Sequence, residues 1–281
     1  MPASLIAIHC RTSDREAAAE RGVSELEVLV AKRLGRSPRT IGEFDGPREA
    51  GWENDLRDGR GCLLEAGGQV QDALTGGSFP VLLAAECSIG LTTLPVVHRH
   101  RPDATILWLD AHGDFNTPDT TESGYLGGMG LAGAVGRWNA GLVPDQADPR
   151  RVVLAGVRDL DGAEREALEK SSVTVIGASP VETLVAVSNA LDGAPVYVHL
   201  DLDVIDPAQM PAQFPAPDGL AAEKVFDVLE AVAGSSELVG LEVTAFAAPE
   251  DDEERQEAAA TVMHVIEPLL AAVPEGAPVH D

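Results

Sequence analysis

Apolar and polar positions along the chain fall into two alternating textures. Short apolar runs rich in Val, Ile and Leu at 5–9, 81–85, 105–109, 152–157, 173–176, 196–200 and 237–243 have the length of buried strands. Between them, 24–34, 69–74, 89–101, 163–170, 181–191 and 221–233 repeat apolar residues at helical spacing, and 255–273 reads as a closing helix. Strands alternating with helices predict a parallel sheet covered on its faces by helices. The stretch 35–61, rich in Gly, Pro and charge, reads as a loop, either at the rim of a site or as a solvated crossover, and 139–151 as an ordinary loop. No internal repeat or linker composition interrupts the pattern, so residues 1–281 are read as one domain.

Polar residues gather where strands hand over to helices. The run 81–85 leads into Glu86-Cys87-Ser88, and 105–109 into Asp110-Ala111-His112-Gly113-Asp114. The run 196–200 leads into Asp201-Leu202-Asp203, and the last strand contains Glu242. In open α/β sheets ligands bind beyond the carboxyl ends of the strands, so these groups are expected to converge on one crevice.

Composition narrows what that crevice holds. Of 281 residues, 46 are Asp or Glu and 20 are Lys or Arg, a net charge of −26. Such a chain is repelled by nucleic-acid backbones and anionic membranes, which leaves cationic ligands. The basic cluster His98-Arg99-His100-Arg101 is too small to reverse this and reads as a solvated helix end, and the acidic run 249–254 as a solvated entry to the last helix. Mutual repulsion also favours a monomer. No run approaches the ~18 apolar residues of a membrane helix, and the start carries no basic leader pattern. Three widely spaced cysteines, Cys10, Cys62 and Cys87, argue against a disulfide framework and for a reducing compartment, so a cytoplasmic location is expected. Cys62 carries no partner signal.

Asp110, His112 and Asp114 alternate along an extended segment, as do Asp201 and Asp203, so each set can point to one side. Five oxygen and nitrogen donors exceed what one catalytic zinc takes and suit a two-metal site with bridging carboxylates. Manganese fits carboxylate-plus-imidazole ligation best. His199, two residues before Asp201, shares its face, and packing is the expected role.

The segment Leu109-Asp110-Ala111-His112-Gly113-Asp114, together with Asp201-Leu202-Asp203-Val204-Ile205-Asp206-Pro207, resembles the two signature motifs of the arginase/ureohydrolase family. The resemblance spans about residues 80–245. It implies a three-layer α/β/α fold around a mostly parallel eight-stranded sheet, two Mn2+ ions, and hydrolysis of a guanidino compound by a metal-bridging hydroxide. It further implies that Asp110 and Asp201 bridge the ions, Asp114 completes one, and His112 with Asp203 the other. Cys87 stands where the family carries its remaining His ligand. It is read as a thiolate ligand, with a buried apolar role as the alternative. Asn116, Thr121 and Ser123 match positions that bind the substrate carboxylate, and Asp161 and Glu164 those that take the α-ammonium. Ordinary turn chemistry is the alternative for the first three.

Two further positions depart from the family. Gly127 occupies the place of the proton-shuttling His. Ala245 occupies that of the guanidinium-binding acid, with Glu242 three positions earlier as a catalytic, supporting or substrate-contact candidate. With Cys87, these departures resemble a branch of the family, associated with D-cycloserine antibiotic biosynthesis, that hydrolyses N-omega-hydroxy-L-arginine to hydroxyurea and L-ornithine. Asp114 is then the residue that orients the attacking hydroxide. Two other readings use the same residues: a ureohydrolase for a different guanidino acid, and a catalytically inactive metal-binding relative.

Overall fold

The computed structural model describes residues 2–179 and 181–273. Eight strands form one sheet: Ala3–Ile8 (β1), Arg39–Ile41 (β2), Phe79–Leu83 (β3), Thr105–Leu109 (β4), Val152–Val157 (β5), Thr174–Gly177 (β6), Val196–Asp201 (β7) and Leu238–Thr244 (β8). All neighbours are parallel, in the order β2-β1-β3-β8-β7-β4-β5-β6. The helices are Ala17–Leu34 (α1), Trp52–Asp58 (α2), Arg60–Thr75 (α3), Gly90–His100 (α4), Gly130–Ala134 (α5), Gly162–Glu169 (α6), Thr183–Leu191 (α7), Ala222–Ser235 (α8) and Asp252–Ala271 (α9).

Alternation along the strands divides the core into two. Leu5, Ala7, Leu107, Leu109, Val198 and Leu200 pack with residues of α1, α7, α8 and α9. Ile6, Ile8, Ile106, Trp108 and Tyr197 point the other way and pack with α3, α4, α5 and α6. Burial on both faces explains why the strands read as continuous apolar runs. The expected three-layer α/β/α arrangement around an eight-stranded sheet is what the chain adopts.

The stretch 35–61 is less open than its composition implies. It holds β2, α2 and the first turn of α3, which begins at Arg60 rather than 69. Its glycines dilute the helical period, and tertiary packing overrides the weak local propensity. The acidic run is used as expected: Asp251 caps α9, accepting from Glu253 N and Glu254 N at 3.0 Å each.

The cysteine reading is corrected. Cys10, just after β1, is disulfide-bonded to Cys62 in the first turn of α3, with Cα atoms 6.2 Å apart. Separation in sequence does not limit approach in space, because α3 packs back against β1 and places the two side chains together. The pairing removes the basis on which a reducing compartment was expected. Among the described residues, no helix is long and apolar enough to cross a membrane.

A cross-link across 52 residues restricts the unfolded chain by an amount worth about 2–4 kcal/mol. Reductant, or Cys62→Ser, is therefore expected to lower the unfolding midpoint by several degrees in calorimetry. An unchanged midpoint argues that the bond adds nothing to stability.

Candidate metal centre and active site

The carboxyl ends of β3, β8, β7 and β4, four adjacent strands, form the floor of a cavity of about 250 Å³. Its lining includes Cys87, His112, Asp114, Asp201 and Asp203. Asp110, Asp114, Asp201 and Asp203 are each between 1 and 6% exposed.

Each ligand candidate is fixed by its own backbone. Asp110 Oδ1 accepts from His112 N at 2.6 Å and Oδ2 from the Trp108 indole at 2.8 Å. Asp201 Oδ1 accepts from Asp203 N at 2.8 Å, and Asp203 Oδ1 from Ala111 N at 2.9 Å, which ties the two motifs together. His112 Nδ1 lies 2.8 Å from Asp203 Oδ2. Cys87 Sγ is 2.8 Å from Asp201 Oδ2 and 3.1 Å from Thr244 Oγ1. Asp114 has a left-handed backbone, φ 48°, rare for a residue with a β-carbon. Gly113 before it has no alternative, because a β-carbon there would overlap the Glu164 carboxyl group.

Crowding of acids sets the electrostatics. Burial, with neighbouring carboxylates adding to it, pushes the Asp114 and Asp201 carboxyls and the Cys87 thiol well above their ordinary ranges. Asp203 is raised to about 6, chiefly by burial. For His112, burial opposes the charged form, but hydrogen bonds to Asp110 and Asp203 prevail and push its pKa up to about 12. Buried acids held this close demand positive charge. Asp110, His112 and Asp203 offer one set of converging ligand atoms, and Cys87, Asp110 and His199 another. Asp114 Oδ2 is buried and has no hydrogen-bond partner, as a donor atom awaiting a cation should be. The residues fit two divalent ions.

The expected substrate contacts separate into two groups. Asn116, Ser123, Asp161 and Glu164 line the cavity. Asp161 caps α6 through Oδ1 and accepts from Asn116 Nδ2 at 2.9 Å through Oδ2. Glu164 accepts from Phe115 N at 2.7 Å, and burial raises its pKa to about 7. Thr121 is not in the lining; its hydroxyl accepts from Gly124 N and closes the loop. Glu242 is also outside the cavity. It is fully buried beneath the site and binds His199 and Tyr197.

Several residues at the site escaped the sequence reading. Arg15 lines the cavity with its guanidinium 4.7 Å from the Tyr125 ring, and Tyr125 in turn packs against Phe214. The Tyr125 hydroxyl donates to Glu86, whose carboxyl is buried and raised well above its ordinary value by that burial. A β-carbon at Gly127 would overlap the Tyr125 ring, so this Tyr fills the space a His side chain at 127 would need. No local pattern marks Arg15 or Tyr125. His199 did carry a signal, its shared face with Asp201, and it approaches Cys87 rather than serving as inert packing.

A model of the arginase family matches residues 47–270. The chain belongs to the arginase family. It is an arginase-family hydrolase, and a N(omega)-hydroxy-L-arginine amidinohydrolase from Streptomyces lavendulae is 38% identical over 272 residues, covering 95% of this chain and 97% of that protein. An arginase from Eremothecium gossypii is 35% identical over 190 residues, 62% of this chain and 48% of its own. Among solved structures, arginases from Bacillus cereus and Entamoeba histolytica superpose with TM-scores of 0.80 and 0.83 at 23% identity. Each comparison covers 95% of this chain, with 98% and 97% of the respective neighbours, and shows the arginase fold.

Protons compete with metal in this arginase-family site. Asp114, Asp201 and Cys87 hold theirs to higher pH than usual and His112 holds one too, so binding a cation releases protons. The apparent Mn2+ affinity measured by titration calorimetry is expected to rise steadily from about pH 6 to about pH 8. A flat profile contradicts the proposed ligand set.

Proposed function

We propose that this hydrolase uses two Mn2+ ions to cleave N-omega-hydroxy-L-arginine to hydroxyurea and L-ornithine. The observation that carries the reading is the loss of the His at 127 with Tyr125 filling its place, in a chain that matches the Streptomyces lavendulae amidinohydrolase end to end. An unsubstituted guanidine is strongly basic and binds as a cation; the N-hydroxy group lowers that basicity, so neither a clamping acid at Ala245 nor a shuttling imidazole at 127 is needed. The four carboxylates and one imidazole of the donor set support manganese, with Cys87 as a single softer ligand among them. Asp110, Asp114, Asp201, Asp203, His112 and Cys87 would hold the two ions.

Bound dications lower the pKa of water toward about 7 and so supply a nucleophile at neutral pH. Asp114, facing the cavity with an Oδ2 that has no partner among the described residues, would orient the attacking water and take one of its protons. The water oxygen would add to the guanidine carbon, its remaining proton would pass to the imino nitrogen as the C=O forms, the bond to the ornithine nitrogen would break, and the departing amine would take the proton back from Asp114. Glu242 is sealed beneath the floor and takes no part in this transfer. At the far end of the substrate, Asp161 and Glu164 receive the α-ammonium. Asn116, Ser123 and Arg15, the one Arg or Lys in the described lining, receive the α-carboxylate. Thr121 supports the loop that carries Ser123.

Steady-state assays of hydroxyurea and urea release test the specificity. The kcat/KM for N-omega-hydroxy-L-arginine is expected to exceed that for L-arginine by at least about tenfold, or about 1.4 kcal/mol of transition-state discrimination; equal values refute it. Asp114→Asn is expected to lower kcat by about 10²–10⁴ while circular dichroism stays unchanged. Retained turnover in a folded variant removes Asp114 from the reaction.

A further inference from the structure

One buried set of polar side chains is unused by the reaction above, and it lies directly under the site. His199 on β7 and Glu242 on β8 are register partners in the sheet, and both are 0% exposed. Glu242 Oε1 is 2.6 Å from His199 Nδ1, and the Tyr197 hydroxyl donates to Oε2 at 2.8 Å. The other ring nitrogen, Nε2, is 3.2 Å from Cys87 Sγ. The Trp108 indole stacks on the imidazole, with centroids 3.5 Å and planes 12° apart, while its Nε1 donates to Asp110. The ring is therefore fixed at both nitrogens and on one face.

A purely packing role does not account for this set. A buried His and Glu cost more to desolvate than Val or Leu in the same volume. Their contacts also form one chain: Glu242 accepts from Tyr197 and holds His199 Nδ1, and the other ring nitrogen meets the sulfur. A ligating imidazole is normally steadied through its second nitrogen by an outer carboxylate or carbonyl. A Cys side chain has no second nitrogen. Anything that steadies it must act on the sulfur itself.

We infer that His199, held by Glu242 and Tyr197, is the positioning residue that aims the Cys87 sulfur into the cation site. The inference rests on Cys87 being a metal ligand, as proposed above. It assigns to His199 and Glu242 a role in holding metal, without contact with substrate.

Cobalt-loaded protein tests this by a readout that does not depend on turnover. A thiolate bound to Co2+ gives an intense near-ultraviolet charge-transfer absorption that oxygen and nitrogen ligands do not. The native chain is expected to show this band, and Cys87→Ser to lack it. His199→Gln and the nearly isosteric Glu242→Gln are expected to weaken or shift the band and to lower Mn2+ affinity by about 10–100-fold in competition titrations. Folding is checked by circular dichroism without metal, and Glu242→Gln carries the test if His199→Gln does not fold. An unchanged band and affinity in a folded variant overturns the inference while leaving Cys87 a ligand. Metal-loaded native protein without the band overturns it together with the Cys87 assignment, a result distinct from failure of the substrate reading.

Discussion

Four carboxylates are buried together at the ends of β4 and β7 and in the turns that follow, and their mutual repulsion is the constraint around which this molecule is organised. At an effective dielectric constant of ~20, two like charges roughly 5 Å apart repel by about 3 kcal/mol. His112 supplies one positive charge for four acids. Burial first and this repulsion second make Asp114, Asp201 and Asp203 hold protons more tightly than free carboxylic acids, and protonation relieves the rest without metal. Divalent cations relieve the same strain and leave the carboxylates ionised, so the instability of the empty arrangement is the source of its affinity.

The sheet makes that arrangement possible because its backbone bonds do not depend on the acids. The ligand-bearing segments continue paired strands packed by apolar layers on both faces. The carboxylates are steadied by main-chain N–H groups within their own motifs, as in the Asp110–His112 and Asp201–Asp203 contacts. Asp114 departs from regular geometry, and its left-handed backbone carries its carboxyl into the cavity. Beneath, Trp108, Tyr197, His199 and Glu242 replace what would otherwise be aliphatic core with a polar layer, and this layer is where the site differs most from a plain α/β sheet.

Much of this was legible in the amino-acid order. Apolar runs marked seven of the eight strands, and the acids spaced two apart at two strand ends marked Asp110, His112, Asp114, Asp201 and Asp203, because strand alternation converts spacing directly into direction. The short edge strand β2 was missed, since three residues, two of them exposed, carry no period to detect. Arg15 and Tyr125 were missed because they meet across 110 residues of chain through loop packing. Glu242 and His199 were visible but misweighted: a lone polar residue in an apolar run says nothing of its partner on the next strand, and only the register of β7 with β8 pairs them. The Cys10–Cys62 bond failed for the same reason, being a property of how α3 docks on β1.

The position of β8 has a consequence for how the protein is made. It is the last strand in the chain yet lies between β3 and β7, and registers Leu241 with both Val81 and Val198. Parallel pairings of such long range form late and slowly. Until residues 238–244 have left the ribosome, Cys87, just after β3, and Asp201, at the end of β7, are separated by the place β8 fills, and Thr244 is absent. A nascent chain thus carries Asp110, His112 and Asp203 at the ends of neighbouring strands, but not the Cys87 side of the cation site. The Cys87 side of the site therefore belongs to the completed polypeptide, because the strand that brings it beside Asp201 is made last.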